Sequence, residues 1–269
     1  MLKKAARIAL TALIWLCLWE IAALITGSEL LLPGPAATAK SLFSLLVSGQ
    51  FWASAAATLA RISAGYILGM LAGAVLGALT AGVLWLDRAL APLLFVSLLW
   101  LAAPLLGVIK ATPLSSFIIL VLLWLTTGMV PVFIAFLIVA PIAWANVREG
   151  ARATDPTLLE MAKAYGFGRK KTIKYIYAPS IRPQFAAAAT TALGLAWKAG
   201  VTAEVLASPA LSIGRGLYES KLYLETPELF AWTAVIIALS MLLERGVKKL
   251  IALSIRNRPR ADGSGAARP

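Results

Sequence analysis

The chain has 269 residues, of which 60% are hydrophobic and only 14% are charged. A soluble domain has about 45–50% apolar and about 25% charged residues, so lipid is the expected surrounding of much of this chain. The sequence contains no histidine and one cysteine, which excludes histidine-based metal sites, Ser-His-Asp triads and an internal disulfide.

Long apolar blocks predict the membrane-spanning helices, because a span needs about 20 apolar residues. The first block follows the basic residues Lys3, Lys4 and Arg7, and it is too long for the apolar core of a cleaved secretory signal. We therefore interpret it as a retained first span. The blocks cover residues 8–26, 57–83, 89–146, 184–206 and 229–253.

The block 89–146 is too long for one helix, and prolines interrupt it. Two full spans and one partial or interfacial helix fit its length, which makes six spans in total. The prolines are Pro92, Pro104, Pro113, Pro131 and Pro141.

The formal net charge of +13 is concentrated at the ends of the apolar blocks. That distribution is typical of cytoplasmic loops, and we expect no nucleic-acid partner. Six spans place the N-terminus, the basic loop 147–182 and the C-terminus in the cytoplasm. The segments 27–51 and 208–228 are then extracytoplasmic. We predict an all-α polytopic membrane protein with one membrane domain over 1–257 and a disordered basic tail over 258–269.

Gly65, Gly69, Gly73 and Gly77 recur every four residues in the second span. This spacing aligns them on one stripe of a helix, where a neighbouring backbone can approach closely. We expect the stripe to be a structural packing surface and the span to be buried among helices rather than to face lipid.

The loop 147–182 contains a predicted short helix outside the membrane. Asp155 and Pro156 form an N-cap and first-turn pair, and Gly166 is a natural stop after residues with helical spacing. A second, basic amphipathic segment runs from Arg169 to Tyr177 and is expected to end at Pro179. Such helices dock on a partner protein or lie on the lipid surface.

The loop resembles the signature of binding-protein-dependent ABC permeases: Glu-Ala-Ala, three residues, Gly, nine residues, Ile, one residue, Leu-Pro. Met161 and Ala178 depart from this signature, and both remain apolar. The resemblance implies that the loop couples the chain to an ATPase. The corresponding residues are Glu160, Met161, Ala162, Gly166, Ile176, Ala178 and Pro179, preceded by the cap Asp155.

Three further segments are similar to the nitrate, sulfonate, taurine and thiamine-precursor class of these permeases: 32–35, 58–61 and 203–204. The resemblance implies a type I importer fold in the bacterial inner membrane. It also implies a second permease copy or paralogue, two ATPase subunits that bind ATP and Mg, and an extracytoplasmic solute-binding protein. The chain has no Gly-x-x-x-x-Gly-Lys-Ser/Thr loop, so we expect neither ATP hydrolysis nor a bound cofactor.

Polar residues inside the spans are the candidates for the substrate pathway. Lys198 and Glu204 lie in the fifth span, and Lys110 lies between two prolines. A charge at such depth faces the helix bundle or a wet cavity, because burying it in lipid costs about 2.5–3.5 kcal/mol. Each is either a pathway residue or half of a structural ion pair, and the lysines have a third alternative, snorkelling to the surface. Trp197 is a fourth candidate, on one stripe with Glu204.

Two other functions compete with the permease. An ion-gradient-driven transporter would show internal repeats, and we find none. A membrane scaffold or sensor would not require buried lysines. The interior lysines favour a small anionic or zwitterionic solute, such as a sulfonate, nitrate, taurine or a thiamine precursor.

Overall fold

The structure is a computed structural model that describes residues 2–81 and 113–256. Every regular element in these two ranges is helical, as the sequence predicts. In chain order the elements are α1 (Leu2–Thr26), α2 (Pro35–Val47), α3 (Gly49–Thr80), α4 (Leu114–Val121), α5 (Val130–Arg152), α6 (Pro156–Ala164), α7 (Arg169–Thr172), a π-helical turn (Ile173–Tyr177), α8 (Ala178–Ala207), α9 (Ile213–Leu222) and α10 (Thr226–Arg256).

Three of the described helices are long and apolar enough to cross a membrane. They are α3, α5 and the part of α10 over Thr226–Leu253. Helices α1 and α8 cover the predicted spans 8–26 and 184–206 and extend beyond them. The total of six spans stays a prediction, because most of the block 89–146 before Pro113 lies outside the described residues, as does the tail 258–269.

Three prolines of the block 89–146 lie in the described ranges, and they act differently. Pro113 precedes α4 as its N-cap residue, and Pro131 lies in the first turn of α5, where a missing N–H costs no hydrogen bond. Pro141 lies inside α5, which continues to Arg152. The prediction that Pro141 interrupts the block was wrong, because membrane helices tolerate proline where the surrounding structure satisfies the freed backbone groups.

The centre of the fold lies where α3, α5 and α8 pack together. Ile62 and Met70 of α3, Val139 of α5 and Trp197 of α8 are buried in one apolar cluster at this junction. Partly buried side chains of α10 pack against the same cluster. One side of the second predicted span is therefore buried among helices. The expectation that the whole span is buried was wrong for this chain by itself, because Ile67, Leu68 and Leu71 on the other side are exposed.

The glycine stripe of α3 lies directly against α5. All four glycines are buried. A Cβ atom on Gly69 would lie 2.7 Å from the Cβ of Val139, and one on Gly73 would overlap the carbonyl oxygen of Ala140. The predicted close approach of a neighbouring helix is confirmed, and α5 is that neighbour.

We expect Gly73→Val to lower the stability of the α3–α5 packing by about 1–3 kcal/mol, the usual cost of overfilling a packed interior. The Cβ atom of the added side chain would collide with the backbone of Ala140 and lie 2.6 Å from the Cβ of Ala143. The aggregation temperature of the detergent-solubilised protein measures the effect. Ala64→Val is the matched control, because Ala64 is exposed on the same helix. Equal losses in both variants would show that the stripe is not a packing surface.

One end of the bundle carries two helices that the apolar blocks do not predict, α2 and α9. Phe51 of α3, Ile213 of α9 and Trp232 of α10 form a buried cluster there, and Leu42 and Leu45 of α2 pack against it. Both helices belong to segments assigned to the extracytoplasmic side. They are short because their apolar faces cover the end of the bundle and do not cross a bilayer.

Candidate functional site

Helix α6 begins at the predicted cap. The Oδ1 atom of Asp155 accepts hydrogen bonds from the hydroxyl of Thr157 at 2.7 Å and from its backbone N–H at 2.9 Å. These two bonds stabilise the carboxylate and hold the pKa of Asp155 below its usual value. The cap is therefore intact at neutral pH and weakens only when the pH falls through this lowered pKa.

The same helix ends at the predicted glycine. Gly166 has a φ of +64°, and its N–H donates to the carbonyl of Lys163 at 3.1 Å. The N–H of Phe167 donates to the carbonyl of Ala162 at 2.8 Å. These two bonds form a Schellman motif, which closes a helix only where one residue adopts the left-handed conformation. Both ends of α6 are thus set by local sequence.

The signature residues fall into two groups by burial. Ala162 and Ile176 are buried, and Pro179 is half-buried. Glu160 and Met161 are exposed. Leu158, Met161 and Tyr165 lie three and four residues apart and form an exposed apolar stripe on α6. The stripe is available to a partner, while the buried residues attach the loop to the rest of the chain.

The basic segment after α6 does not end at Pro179, so that prediction was wrong. Helix α7 passes into the π-helical turn Ile173–Tyr177 and then directly into α8. In this turn the N–H of Ala178 donates to the carbonyl of Ile173. Pro179 follows in the first turn of α8, a position that tolerates a missing N–H. Residues 169–207 are therefore one continuous helical segment.

Helix α8 has two faces of opposite character. Trp197, Val201 and Glu204 share the buried face, as their spacing predicts. Lys198 lies on the exposed face, away from the helices that pack on α8. The exposed side chains of this face are Thr191, Leu195, Lys198, Thr202 and Leu206.

The structure separates two predicted pathway residues that are adjacent in sequence. Trp197 is 2% exposed and lies in the central cluster, where its Nε1 donates to the carbonyl of Ile236 at 3.2 Å. Lys198 is exposed. Of these two neighbours, Lys198 is the one whose side chain reaches the surface of the described fold. Lys110 lies outside the described residues.

Glu204 is fully buried, and both of its carboxylate oxygens have partners. The Oε2 atom accepts from the hydroxyl of Thr58 at 2.7 Å and from the N–H of Gly214 at 3.3 Å. The Oε1 atom accepts from Nη1 of Arg61 at 3.2 Å. Removing one partner from a buried ion pair costs about 3–5 kcal/mol. Of the two alternatives for Glu204, the geometry favours the structural ion pair.

The pairing of Arg61 with Glu204 is not evident from the sequence, because 143 positions separate the two residues. A signal was nevertheless present. Arg61 is the one charged residue in the sequence of α3, and Glu204 lies near the end of a predicted span. Two isolated opposite charges near span ends are candidates for each other.

Within residues 2–81 and 113–256 every regular element is helical, and three helices have spanning length, which makes the chain a helical membrane protein. The sequence profile of a family described as "Binding-protein-dependent transport system inner membrane component" matches residues 61–246, more than half of the chain. The chain belongs to this family of transport-system permeases. The resemblance seen in the sequence is confirmed. Membership argues against the ion-gradient-driven transporter and the membrane scaffold.

Named relatives cover most of the chain. A riboflavin transport system permease protein of Chloroflexus aurantiacus is 28% identical and covers 90% of this chain and 88% of its own length. A bicarbonate transport system permease protein of Synechocystis sp. is 27% identical, covering 77% and 71%. A taurine transport system permease protein of Escherichia coli is 23% identical, covering 86% and 82%.

Proposed function

We propose that this chain is the six-span permease subunit of an ABC importer of the type I fold, in the bacterial inner membrane. Its N- and C-termini lie in the cytoplasm. A second permease, identical or paralogous, completes the translocation pathway. Two ATPase subunits hydrolyse ATP with Mg, and an extracytoplasmic binding protein delivers the solute. The loop 147–182 is rich in lysine and arginine, as cytoplasmic loops of membrane proteins are, and this supports the orientation.

The exposed helix α6 is the observation that carries the proposal. It is capped at both ends by its own sequence, and Ala162 is the one buried residue of the helix, so most of its surface is open to a partner. Its stripe of Leu158, Met161 and Tyr165 exposes apolar side chains that a partner groove can bury. We assign this stripe, together with Glu160, to the ATPase contact.

The chain connects α6 to two membrane helices. Helix α5 ends at Arg152, just before the cap Asp155, and α8 follows without interruption from α7. When nucleotide closes the ATPase pair, movement of α6 therefore displaces the cytoplasmic ends of α5 and α8 together. This displacement switches the pathway to outward-open, and hydrolysis resets it.

The exposed face of α8 supports the proposal that this helix lines the translocation pathway. It combines Lys198 with two threonines in a helix that is otherwise packed into the fold. A lysine at this depth requires water, an anion or a partner carboxylate. We propose that two such faces, one from each permease, line the route.

The solute is proposed to be small and anionic or zwitterionic. Lysines on both sides of a pathway would favour a negative group. The relatives are named for riboflavin, bicarbonate and taurine, which differ in size and charge. Bicarbonate and taurine carry anionic groups and agree with a cationic lining.

Purification of the affinity-tagged chain from its native membrane tests the proposed function. We expect an ATP-binding-cassette ATPase to co-purify and the complex to hydrolyse ATP. The ratio of ATPase to tagged chain should be one to one with an identical second permease and two to one with a paralogue. The binding protein is the secreted or lipid-anchored protein that raises this ATPase rate, and ligand screening of that protein identifies the solute. Recovery of the chain in a complex without any ATPase would contradict the proposal.

A further inference from the structure

The loop 208–212, which joins α8 to α9, holds two non-glycine residues in the left-handed conformation. Ser208 has a φ of 44° and Leu211 a φ of 52°. Such conformations are unfavourable for residues with a Cβ atom and persist only where surrounding contacts impose them. Identifying these contacts therefore identifies what sets the shape of the loop.

Ser208 is the C-cap of α8, and its N–H donates to the carbonyl of Glu204 at 2.8 Å. Arg61 holds the other part of the loop, Ala210 and Leu211, with a single guanidinium group. Its Nη2 donates to the carbonyl of Ala210 at 3.0 Å, and its Nη1 donates to the carbonyl of Leu211 at 3.0 Å. The same Nη1 donates to Glu204 at 3.2 Å. The flat, forked geometry of arginine allows three acceptors to be bound in one plane, which a lysine ammonium does not reproduce.

Glu204 binds both Arg61 and the start of α9. Its carboxylate accepts from the N–H of Gly214, and a Cβ atom on Gly214 would overlap the Cβ of Glu204. Thr58 accepts from the N–H of Ile213 at 3.0 Å and donates to Glu204. Arg61, Glu204 and Thr58 therefore hold the second half of the loop and the start of α9.

The loop forms part of the wall of a cavity of about 540 Å³ between α3, α9 and α10. Ala210, Leu211 and Ser212 line it on one side. Leu211 is 48% exposed, although it is apolar and lies in a strained loop. Glu225 and Glu228 also line the cavity and make it acidic, because Arg215 is already paired with Glu219. This end suits a partner that brings apolar and basic groups.

We propose that Arg61 is a positioning residue that holds the loop 208–212 in one conformation, so that Leu211 forms part of the surface that receives the solute-binding protein. This inference rests on the proposed function, which places the loop outside the cytoplasm. Arg61 acts through the loop carbonyls and Glu204, and it does not line the cavity. Because the loop is already ordered, the binding protein does not have to pay the conformational entropy of ordering it each time it binds.

Thiol labelling tests the positioning in a Cys17→Ser background. Ser212 is 3% exposed, so Ser212→Cys should be protected from an impermeant maleimide in intact cells, while exposed Ala210→Cys should react. Adding Arg61→Lys should raise labelling of Ser212→Cys about ten-fold or more through local opening, without changing that of Ala210→Cys. Arg245→Lys, a conservative change at an exposed site in α10, is the matched control.

ATP hydrolysis by the purified complex tests the functional consequence. We expect Arg61→Lys to raise the concentration of binding protein required for half-maximal stimulation by about ten-fold. The basal rate and the stimulated maximum should be unchanged. A purely structural role would lower both rates with the amount of intact complex.

The inference is overturned if Ser212→Cys stays protected with Arg61→Lys, or if the half-maximal concentration does not change. Parallel loss of both ATPase rates, or of the assembled complex, would also overturn it. Two other outcomes contradict the proposed function instead. They are labelling of Ala210→Cys only after permeabilisation, and a wild-type complex whose ATPase responds to no binding protein.

Discussion

Gly166→Val should disconnect ATP hydrolysis from transport while the chain remains in the membrane. The φ of +64° at Gly166 is unfavourable for a β-branched residue. The strain is on the order of 1–3 kcal/mol, which lowers the population of the native helix ending roughly five-fold to 150-fold. We expect a similar loss of uptake, measured with the solute identified by ligand screening. The ratio of transported solute to hydrolysed ATP should fall with it.

Gly168→Val is the matched control for this experiment. No atoms crowd the Cβ position at Gly166 or Gly168, but Gly168 has an ordinary extended conformation with a φ of −67°. The control should therefore transport normally. Glu160→Lys, which reverses an exposed charge on α6, should uncouple as well. Normal uptake in both Gly166→Val and Glu160→Lys would remove α6 from the ATPase contact.

Lys198→Met should reduce uptake by about ten-fold or more if the charge compensates an anionic group in the pathway. Methionine keeps the length and apolar volume, so assembly and basal ATPase activity should persist. Lys198→Arg, which keeps the charge, should retain more uptake than Lys198→Met. Lys221→Met is the matched control, because Lys221 is an exposed lysine of α9.

The alternatives for Lys198 predict different results. If it forms a buried ion pair in the assembled transporter, Lys198→Met strands its partner, which costs about 3–5 kcal/mol, and the variant is degraded. A second change at the partner then restores it. If Lys198 snorkels to the surface, the variant is stable and uptake is unchanged. Only a stable, assembled and transport-deficient variant supports the pathway role.

Local sequence was sufficient to predict helix α6. Its cap Asp155 and its terminal glycine Gly166 act over a few residues, and the structure places both where the sequence predicts them. The glycine stripe of α3 was also predictable, because helical periodicity alone aligns residues four positions apart. Long apolar blocks located α3 and α10, since a bilayer requires about 20 apolar residues in one run. The block 89–146 contained most of α5 but did not give its ends.

The short helices outside the apolar blocks were harder to predict. Ser212 caps helix α9, because its Oγ accepts from the N–H of Arg215, and α2 has Pro35 in its first turn. These are valid local signals, but in segments this short hydropathy does not distinguish a helix from a turn. Packing against Phe51 and Trp232 stabilises α9, and this contact joins distant parts of the chain.

Sequence by itself determined the class of protein, the positions of the apolar helices outside the block 89–146 and the ends of α6, because these depend on composition and on contacts within a few residues. Tertiary structure decided which pathway candidates are buried. Trp197 and Lys198 are neighbours in sequence, yet one lies in the core and the other is exposed, because helix rotation turns adjacent residues about 100° apart. The pairing of Arg61 with Glu204 also required the fold, because a buried charge finds its partner through space and not along the chain.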